Sequence, residues 1–108
     1  MEPLDRENLD VYQCFIALLA TALRISARLP RGEAPLRDQL KRAAMSIPLN
    51  IAEGVGKPTG PDRSRFHAVA RGSALECGAV LDVCRVGRMA LESDIDEAKP
   101  RSLESSRC

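Results

Sequence analysis

The residues of this sequence best suited to chemistry are positively charged side chains in its middle portion. Seven of them are candidate phosphate ligands: Arg37, Lys41, Arg42, Lys57, Arg63, Arg65 and Arg71. Lysine and arginine neutralise phosphates and release counterions, which gives affinity for nucleic acid without reading its sequence. A helix face that is merely solvated is the commoner explanation of such a cluster. The pattern therefore leaves two functions open, binding of RNA or DNA and a protein-interaction scaffold.

The distribution of charge favours the first function. Net charge over the whole chain is +1, but residues 24–88 contain twelve bases and six acids, while both ends are acidic. Such an asymmetry attracts polyanions. No aromatic residues alternate with the cations for base stacking, and no helix-turn-helix or similar motif is visible. We therefore expect binding to the nucleic-acid backbone with weak sequence preference.

The other polar residues do not form a catalytic set. Glu53 has no partner base, His67 is the single histidine, and Glu76 lies on the expected packing face of a helix. The glycines lack phosphate-loop spacing, and no nucleophile is paired with a base. We interpret Glu53 as an ion-pair partner of Arg42 or Arg71, and we predict a non-enzymatic protein.

The cysteines, Cys14, Cys77, Cys84 and Cys108, form no Cys-x-x-Cys pair, which with one histidine argues against a zinc site. Cys77 and Cys84 lie about 10 Å apart along a helix, too far for a disulfide. We expect four small core residues in a reducing cytoplasm, with no metal or cofactor. The acidic start is unlike a signal peptide, and no apolar run approaches the length of a bilayer, so we expect no membrane partner.

Apolar periodicity predicts the elements that position these residues. It indicates one domain, 1–108, with helices near 9–29, 36–55 and 62–91 and frayed ends at 1–8 and 100–108. Short connections predict antiparallel neighbours, and a seven-residue apolar repeat in the third helix is typical of a left-handed bundle. The fold class is an all-α, up-down bundle with a short or vestigial fourth helix. We predict that the fourth helix begins with a cap near Ser93 and ends before Pro100. The first helix is apolar round most of its circumference, which predicts a covering subunit.

Pro48 lies inside the apolar period of the second helix. Proline has no N–H, so the carbonyl of Ala44 loses its helical partner. Because the period continues without a phase break, we predict a continuous helix with a kink at Pro48. We expect Asn50 to be buried and hydrogen-bonded to backbone groups freed there.

The string Ser46-Ile-Pro-Leu-Asn-Ile-Ala-Glu-Gly54 resembles the four helix bundle protein family. Members of this family are encoded in intervening sequences of bacterial large-subunit ribosomal RNA genes, and the family is similar to the accessory variability protein of diversity-generating retroelements. The resemblance assigns the following structural motif: Ser46, Pro48, Asn50, Glu53 and Gly54.

The family resemblance implies an up-down bundle that assembles into a ring, with a homopentamer favoured. It implies a basic surface that binds nucleic acid, and as partners the chain itself, RNA or DNA, and a reverse transcriptase or another protein. The chain departs from the family at its end, where Pro100 arrives early. Three long helices would then leave an apolar groove for a neighbouring chain or a partner protein.

Overall fold

The chain folds into four helices joined by short loops. A computed structural model describes residues 6–103, in which the helices are α1 (Arg6–Arg28), α2 (Ala34–Val55), α3 (Gly60–Val86) and α4 (Glu92–Leu103). These described residues contain no strand. The all-α bundle of three long helices and a short fourth, predicted from periodicity, is confirmed.

Contacts between α2 and α3 show that these helices run in opposite directions. Ser73 in the middle of α3 donates to Ser46 in the middle of α2. Gly54, close to the end of α2, packs against Phe66, close to the start of α3. The end of α2 and the start of α3 therefore meet at one end of the bundle, as the short connection between them predicted.

The core is mainly aliphatic and lies on the inward faces of all four helices. Its largest fully buried apolar side chains are Phe15, Leu18, Ile25, Leu40, Ile47, Leu81 and Ile95. Removing such side chains from water contributes about 25 cal/mol per Å² of apolar surface. Aliphatic side chains of this size let the helices pack closely without many aromatic residues.

The cysteines divide into two kinds. Cys77 and Cys84 are free and fully buried in the core, as expected. Burial, with a smaller contribution from Glu76, raises the pKa of Cys77 to about 12. Burial, and to a lesser degree Glu33, also raises the pKa of Cys84. Cys14 is disulfide-bonded, so the expectation of free thiols was wrong for Cys14.

The α3 helix ends at Val86, five residues before the predicted end. Gly87 closes the helix, and Arg88 takes a left-handed conformation with φ of 54°. The N–H of Met89 then donates to the carbonyl of Cys84 at 2.9 Å, which satisfies the last turn in the manner of a Schellman cap. Apolar residues continue after Val86, so the apolar spacing in the sequence predicted a helix that extends past this cap.

Both ends of the described chain are more helical than expected. Residues 6–8 and 100–103, which we expected to fray, lie in α1 and α4. The α4 helix begins at Glu92, one residue before the predicted cap, and continues through Pro100, because a proline removes one N–H and does not forbid a helix. The frayed ends expected at 1–5 and 104–108, and Cys108, lie outside the described residues.

By length and composition, α1 is apolar enough to cross a membrane, contrary to our expectation for this chain. In this bundle, 33% of the apolar window is buried. Core helices of folded domains commonly have this composition, since they are covered by protein rather than lipid.

Candidate nucleic-acid interface

The predicted cations occupy separate parts of the bundle. The side chain of Arg37 is hydrogen-bonded to backbone carbonyls of the fold. Its Nε donates to the carbonyl of Ser26 at 3.1 Å, and its Nη2 donates to the carbonyls of Leu29 at 3.3 Å and Pro30 at 3.4 Å. Carbonyls at the end of a helix have no helical partner and carry partial negative charge. Arg37 therefore stabilises the end of α1 and fixes α2 beside it.

Lys41 and Arg42 lie in the first half of α2, and neither forms an ion pair with a described residue. Arg42 is exposed and lines an open groove of about 660 Å³ between α2 and α3. Asp38 and Glu76 line the same groove. These carboxylates lower the positive potential around Arg42.

Three cations converge at the turn between α2 and α3, as predicted for Lys57, Arg63 and Arg65. The Nζ atom of Lys57 lies 5.1 Å from the centroid of the Phe66 ring, and Cζ of Arg65 lies 5.0 Å from it. Both distances are within the range of cation–π attraction. We call Lys57, Arg63, Arg65 and Phe66 the turn cluster. One aromatic ring, that of Phe66, therefore lies among these cations.

Local backbone contacts fix the turn cluster. The N–H of Asp62 donates to Thr59 Oγ1 at 3.2 Å, which caps α3. Arg63 Nη1 donates to the carbonyl of Lys57 at 2.9 Å. A Cβ on Gly54 would lie only 3.2 Å from Cβ of Phe66, so glycine permits the close approach of α2 to α3 here.

Two neighbouring acids pair with cations of the turn cluster, in which Lys57 is half-buried and Arg63 and Arg65 are exposed. Lys57 pairs with Glu53 at 3.3 Å, and Arg65 pairs with Asp62 at 3.8 Å. The side chains of Glu53 and Arg65 are 60% and 68% exposed, so solvent screens both pairs. The expected pairing of Glu53 with Arg42 or Arg71 was wrong, because Lys57 lies one helical turn away on the same face.

Arg71 lies apart from the turn cluster. It is eight residues after Arg63 on α3, which corresponds to about 12 Å along the helix. Arg71 and His67 line the rim of an apolar groove of about 220 Å³ between α1, α2 and α3. No ion pair joins Arg71 to a described residue. The early Pro100 predicted that three long helices leave an apolar groove, and the structure identifies the residues of α1, α2 and α3 that line this one.

The polar residues of the sequence motif connect α2 to α3. Asn50 Nδ2 donates to the carbonyl of Ser46 at 2.7 Å and to its Oγ at 3.0 Å, and Ser73 Oγ donates to Ser46 Oγ at 2.8 Å. The α2 helix is continuous through Pro48, as predicted. Asn50, however, is half-buried and does not satisfy the carbonyl of Ala44. The side-chain amide of Asn50 lies one helical turn after Ser46 and donates to the carbonyl of Ser46 instead.

Glu76 and His67, the other titratable residues singled out from the sequence, line different grooves. Glu76 is exposed on the wall of the α2–α3 groove, and His67 is exposed beside Arg71. Within residues 6–103, no three His, Cys, Asp or Glu side chains lie close enough together to hold a metal ion.

The model of the family described as 23S rRNA-intervening sequence protein matches residues 7–108. The matched range includes the string from Ser46 to Gly54, the turn cluster and α4. No curated protein matches the chain.

Proposed function

Because this chain belongs to the 23S rRNA-intervening sequence protein family, we propose that it is a non-enzymatic, ring-forming accessory protein. In this proposal it binds RNA or DNA through a basic surface without strong sequence preference. The observation that carries the proposal is the turn cluster, in which Lys57 and Arg65 lie against the Phe66 ring and Arg63 donates to the backbone of the same turn.

The geometry of the turn cluster favours phosphate over bases as the ligand. The Phe66 ring is half-buried, packs against α2 at Gly54, and has a cation within 5.1 Å. It therefore orients Lys57 and Arg65 and offers little free surface on which a base could stack. Phosphate contacts position a nucleic acid and carry no direct sequence information.

The outward face of α1 supports assembly. Five apolar residues alternate at three- and four-residue spacing on this face: Leu9, Tyr12, Ile16, Leu19 and Leu23. Leu9, Ile16 and Leu23 are 39%, 40% and 42% exposed. An alternating spacing of this kind packs against another helix, and we propose a neighbouring copy as that partner. Family resemblance favours a pentamer. A ring would repeat the turn cluster, so several weak contacts would act on one polyanion.

Binding to duplex and single-stranded oligonucleotides across a salt series tests this function. We expect binding at low salt and a log–log slope of about −0.9 for each phosphate neutralised on duplex DNA. The double variant Arg63→Glu, Arg65→Glu should lose affinity strongly. The double variant Lys41→Glu, Arg42→Glu changes net charge equally and is the matched control, because it leaves the turn cluster intact.

The outcomes separate the two functions. Absence of binding by the native protein at low salt would leave the scaffold function, which the apolar groove beside Arg71 favours. Equal losses in the two double variants would remove the turn cluster as the binding surface. Arg63 also holds the turn, so thermal melting must show that its variant is folded. If it is not, Arg65→Glu alone replaces it.

A further inference from the structure

The disulfide of Cys14 is a covalent link that the proposed function does not use. Cys14 is disulfide-bonded and half-buried on α1, whereas Cys77 and Cys84 carry free, buried thiols. The sequence contains four cysteines, so Cys108 is the remaining candidate partner within one chain. The course of α4 along α1 decides whether Cys108 can reach Cys14.

Ion pairs show that α4 runs antiparallel to α1. Near the start of α4, Asp94 pairs with Arg28 at 3.5 Å. One turn later, Glu97 pairs with Arg24, which lies one turn earlier on α1. The chain that follows α4 is therefore directed towards the first half of α1, where Cys14 lies.

The spacing of the two cysteines matches this antiparallel register. Cys14 lies fourteen residues before Arg28, and Cys108 lies fourteen residues after Asp94. Fourteen residues are two heptads, or about 21 Å along a helix, so the same side of the helix recurs at this spacing. A path that continues α4 thus brings Cys108 level with Cys14, on the face of α1 that contacts α4.

The chain after Leu103 is long enough for this link in any conformation between helix and strand. Leu103 lies nine residues after Asp94, so about 8 Å along α1 separates its level from Cys14. Five residues cover about 8 Å as a helix and about 17 Å when extended. The link therefore requires no rearrangement of α1 or α4.

The same path leads across the mouth of the apolar groove beside Arg71. On α3, the contacts of α4 move back from Arg85, which pairs with Glu92, to Asp82, which pairs with Lys99. The groove of about 220 Å³ lies farther towards the start of α3, between that helix, α1 and α2.

The α1 wall of this groove lies directly beside Cys14. It consists of Val11, three residues before Cys14, and Phe15, the next residue along the chain. Ile47 and Ile51 of α2 also line the groove, so much of its surface is aliphatic. Cysteine sulfur is weakly polar and is commonly buried. A disulfide at Cys14 therefore suits the edge of an apolar groove.

We propose that Cys14 and Cys108 form a reversible intrachain disulfide, which ties residues 104–108 to α1 across the mouth of the apolar groove beside Arg71. Formation of the bond closes the fourth corner of the bundle. Reduction releases residues 104–108 and opens the groove to solvent. This inference is independent of nucleic-acid binding, because it uses no residue of the turn cluster.

The bond forms by two exchange steps with a small-molecule disulfide, RSSR. One cysteine thiolate attacks RSSR, forms a mixed disulfide and releases RS⁻. The second thiolate attacks the cysteine sulfur of the mixed disulfide and releases another RS⁻. The two cysteines together lose two electrons and two protons, and RSSR becomes two RSH. Excess thiol reverses both steps. Cys77 and Cys84 stay outside this exchange, because their thiols are buried.

Mass spectrometry of the full chain tests the link. After treatment with oxidised glutathione, cleavage behind glutamate should yield the fragment 8–33 joined to the fragment that begins at Ser105, and reduction should separate them. The undigested chain should keep the mass of a monomer. In denaturant, iodoacetamide should modify two thiols before reduction and four after it.

Thermal melting and binding of an apolar dye test the closure. The oxidised native chain should melt about 10 °C above Cys108→Ser, because the bond constrains the unfolded chain. Reduction should lower the Tm of the native chain and leave that of Cys108→Ser unchanged. Reduction should also raise the fluorescence of 8-anilinonaphthalene-1-sulfonate at least about twofold at 25 °C. Ser105→Ala is the matched control, since it changes the same segment and should respond to reduction as the native chain does.

Four results would overturn the proposal. They are separate fragments after oxidation, a covalent dimer, equal Tm values for oxidised native chain and Cys108→Ser, and equal dye binding before and after reduction. The fragment analysis uses the native chain, so it decides even if Cys108→Ser does not fold. Oligonucleotide binding should be the same for the oxidised and reduced chains, so this proposal and the proposed function fail separately.

Discussion

Ser46 accepts hydrogen bonds from two elements, its own helix through Asn50 and α3 through Ser73. Replacing Asn50 by Leu removes the amide donor next to Pro48. We expect the free energy of unfolding to fall by about 1 kcal/mol, because a half-buried hydrogen bond is lost while Ser46 keeps its other partner. Chemical denaturation measures this change. The exposed neighbour substitution Leu49→Gln is the control, and an equal loss in both variants would contradict a specific role of Asn50.

Adding a side chain at Gly72 and at Gly54 should change the stability of the protein in opposite directions. A Cβ on Gly72 would meet nothing within 4 Å, whereas one on Gly54 would meet Phe66 Cβ at 3.2 Å and the Arg63 carbonyl at 3.4 Å. Gly72→Ala should stabilise the protein by about 0.5–1 kcal/mol through helix propensity. Gly54→Val should destabilise it by about 1–3 kcal/mol through overpacking. Thermal melting of the two variants decides, and a stabilised Gly54→Val would disprove close packing at this position.

The buried thiol of Cys77 predicts a loss of stability at high pH. Its pKa is raised from 9.0 to about 12, first by burial and then by Glu76. In the unfolded chain the thiol ionises near its ordinary pKa, while in the folded chain it stays protonated. Stability is therefore complete below about pH 9 and declines as pH rises towards 12.

Unfolding by urea at pH 7 and pH 10.5 measures this decline. Cys77→Ala removes the thiol and should show a smaller decline between the two pH values, whatever its absolute stability. If the native protein and Cys77→Ala lose the same amount of stability, ionisation of Cys77 does not contribute.

Among the four helices, we expect α4 to depend most on ion pairs for its packing against the bundle. Its described buried apolar residues are Ile95 and Ala98, and its carboxylates pair with Arg24, Arg28 and Arg85. Ion pairs with exposed members are weak and are screened by salt, and at 1 M salt the Debye length falls to about 3 Å. We therefore expect α4 to open before α2 and α3.

Hydrogen exchange in low salt and in 1 M NaCl tests this expectation. Amides of α4 should lose protection in high salt, while those of α2 and α3 should change little. Ile95→Ala removes the largest apolar anchor of α4 and should abolish its protection in both conditions. Uniform loss of protection across the four helices would show that α4 is not a separate unit of opening.

At the scale of the whole molecule, the outward face of α1 predicts self-association. A chain of 108 residues has a small core, and burial of Leu9, Ile16 and Leu23 against another copy would extend it. Sedimentation at micromolar concentration should give a mass above that of the monomer. Ile16→Glu should reduce this mass, because it buries an unpaired charge in the interface.

Leu75→Glu is the control for that experiment, since Leu75 is exposed on α3, away from the α1 face. A monomeric native protein would contradict self-association. Equal effects of Ile16→Glu and Leu75→Glu would place the interface elsewhere. A native dimer would support the α1 interface and contradict the ring.

The sequence by itself determined the helices and the connection between α2 and α3. Apolar spacing repeats along a helix, so α1, α2 and most of α3 could be read from local pattern, including the continuation of α2 through Pro48. The grouping of Lys57, Arg63 and Arg65 followed from the short turn between two antiparallel helices. The end of α3 was missed, because its cap uses Arg88 in a left-handed conformation that is usually taken by glycine.

Only the tertiary structure decided which partner each side chain has. Arg37 reaches carbonyls of α1, Ser46 meets Ser73, and Phe66 lies among the cations of the turn, although none of these contacts follows a repeat in the sequence. The residues that line the apolar groove beside Arg71 likewise follow from the positions of α1, α2 and α3 in the bundle. Local periodicity fixes which face of a helix is buried, but contacts between helices depend on their relative lengths, register and angles, which are set by packing the whole core together.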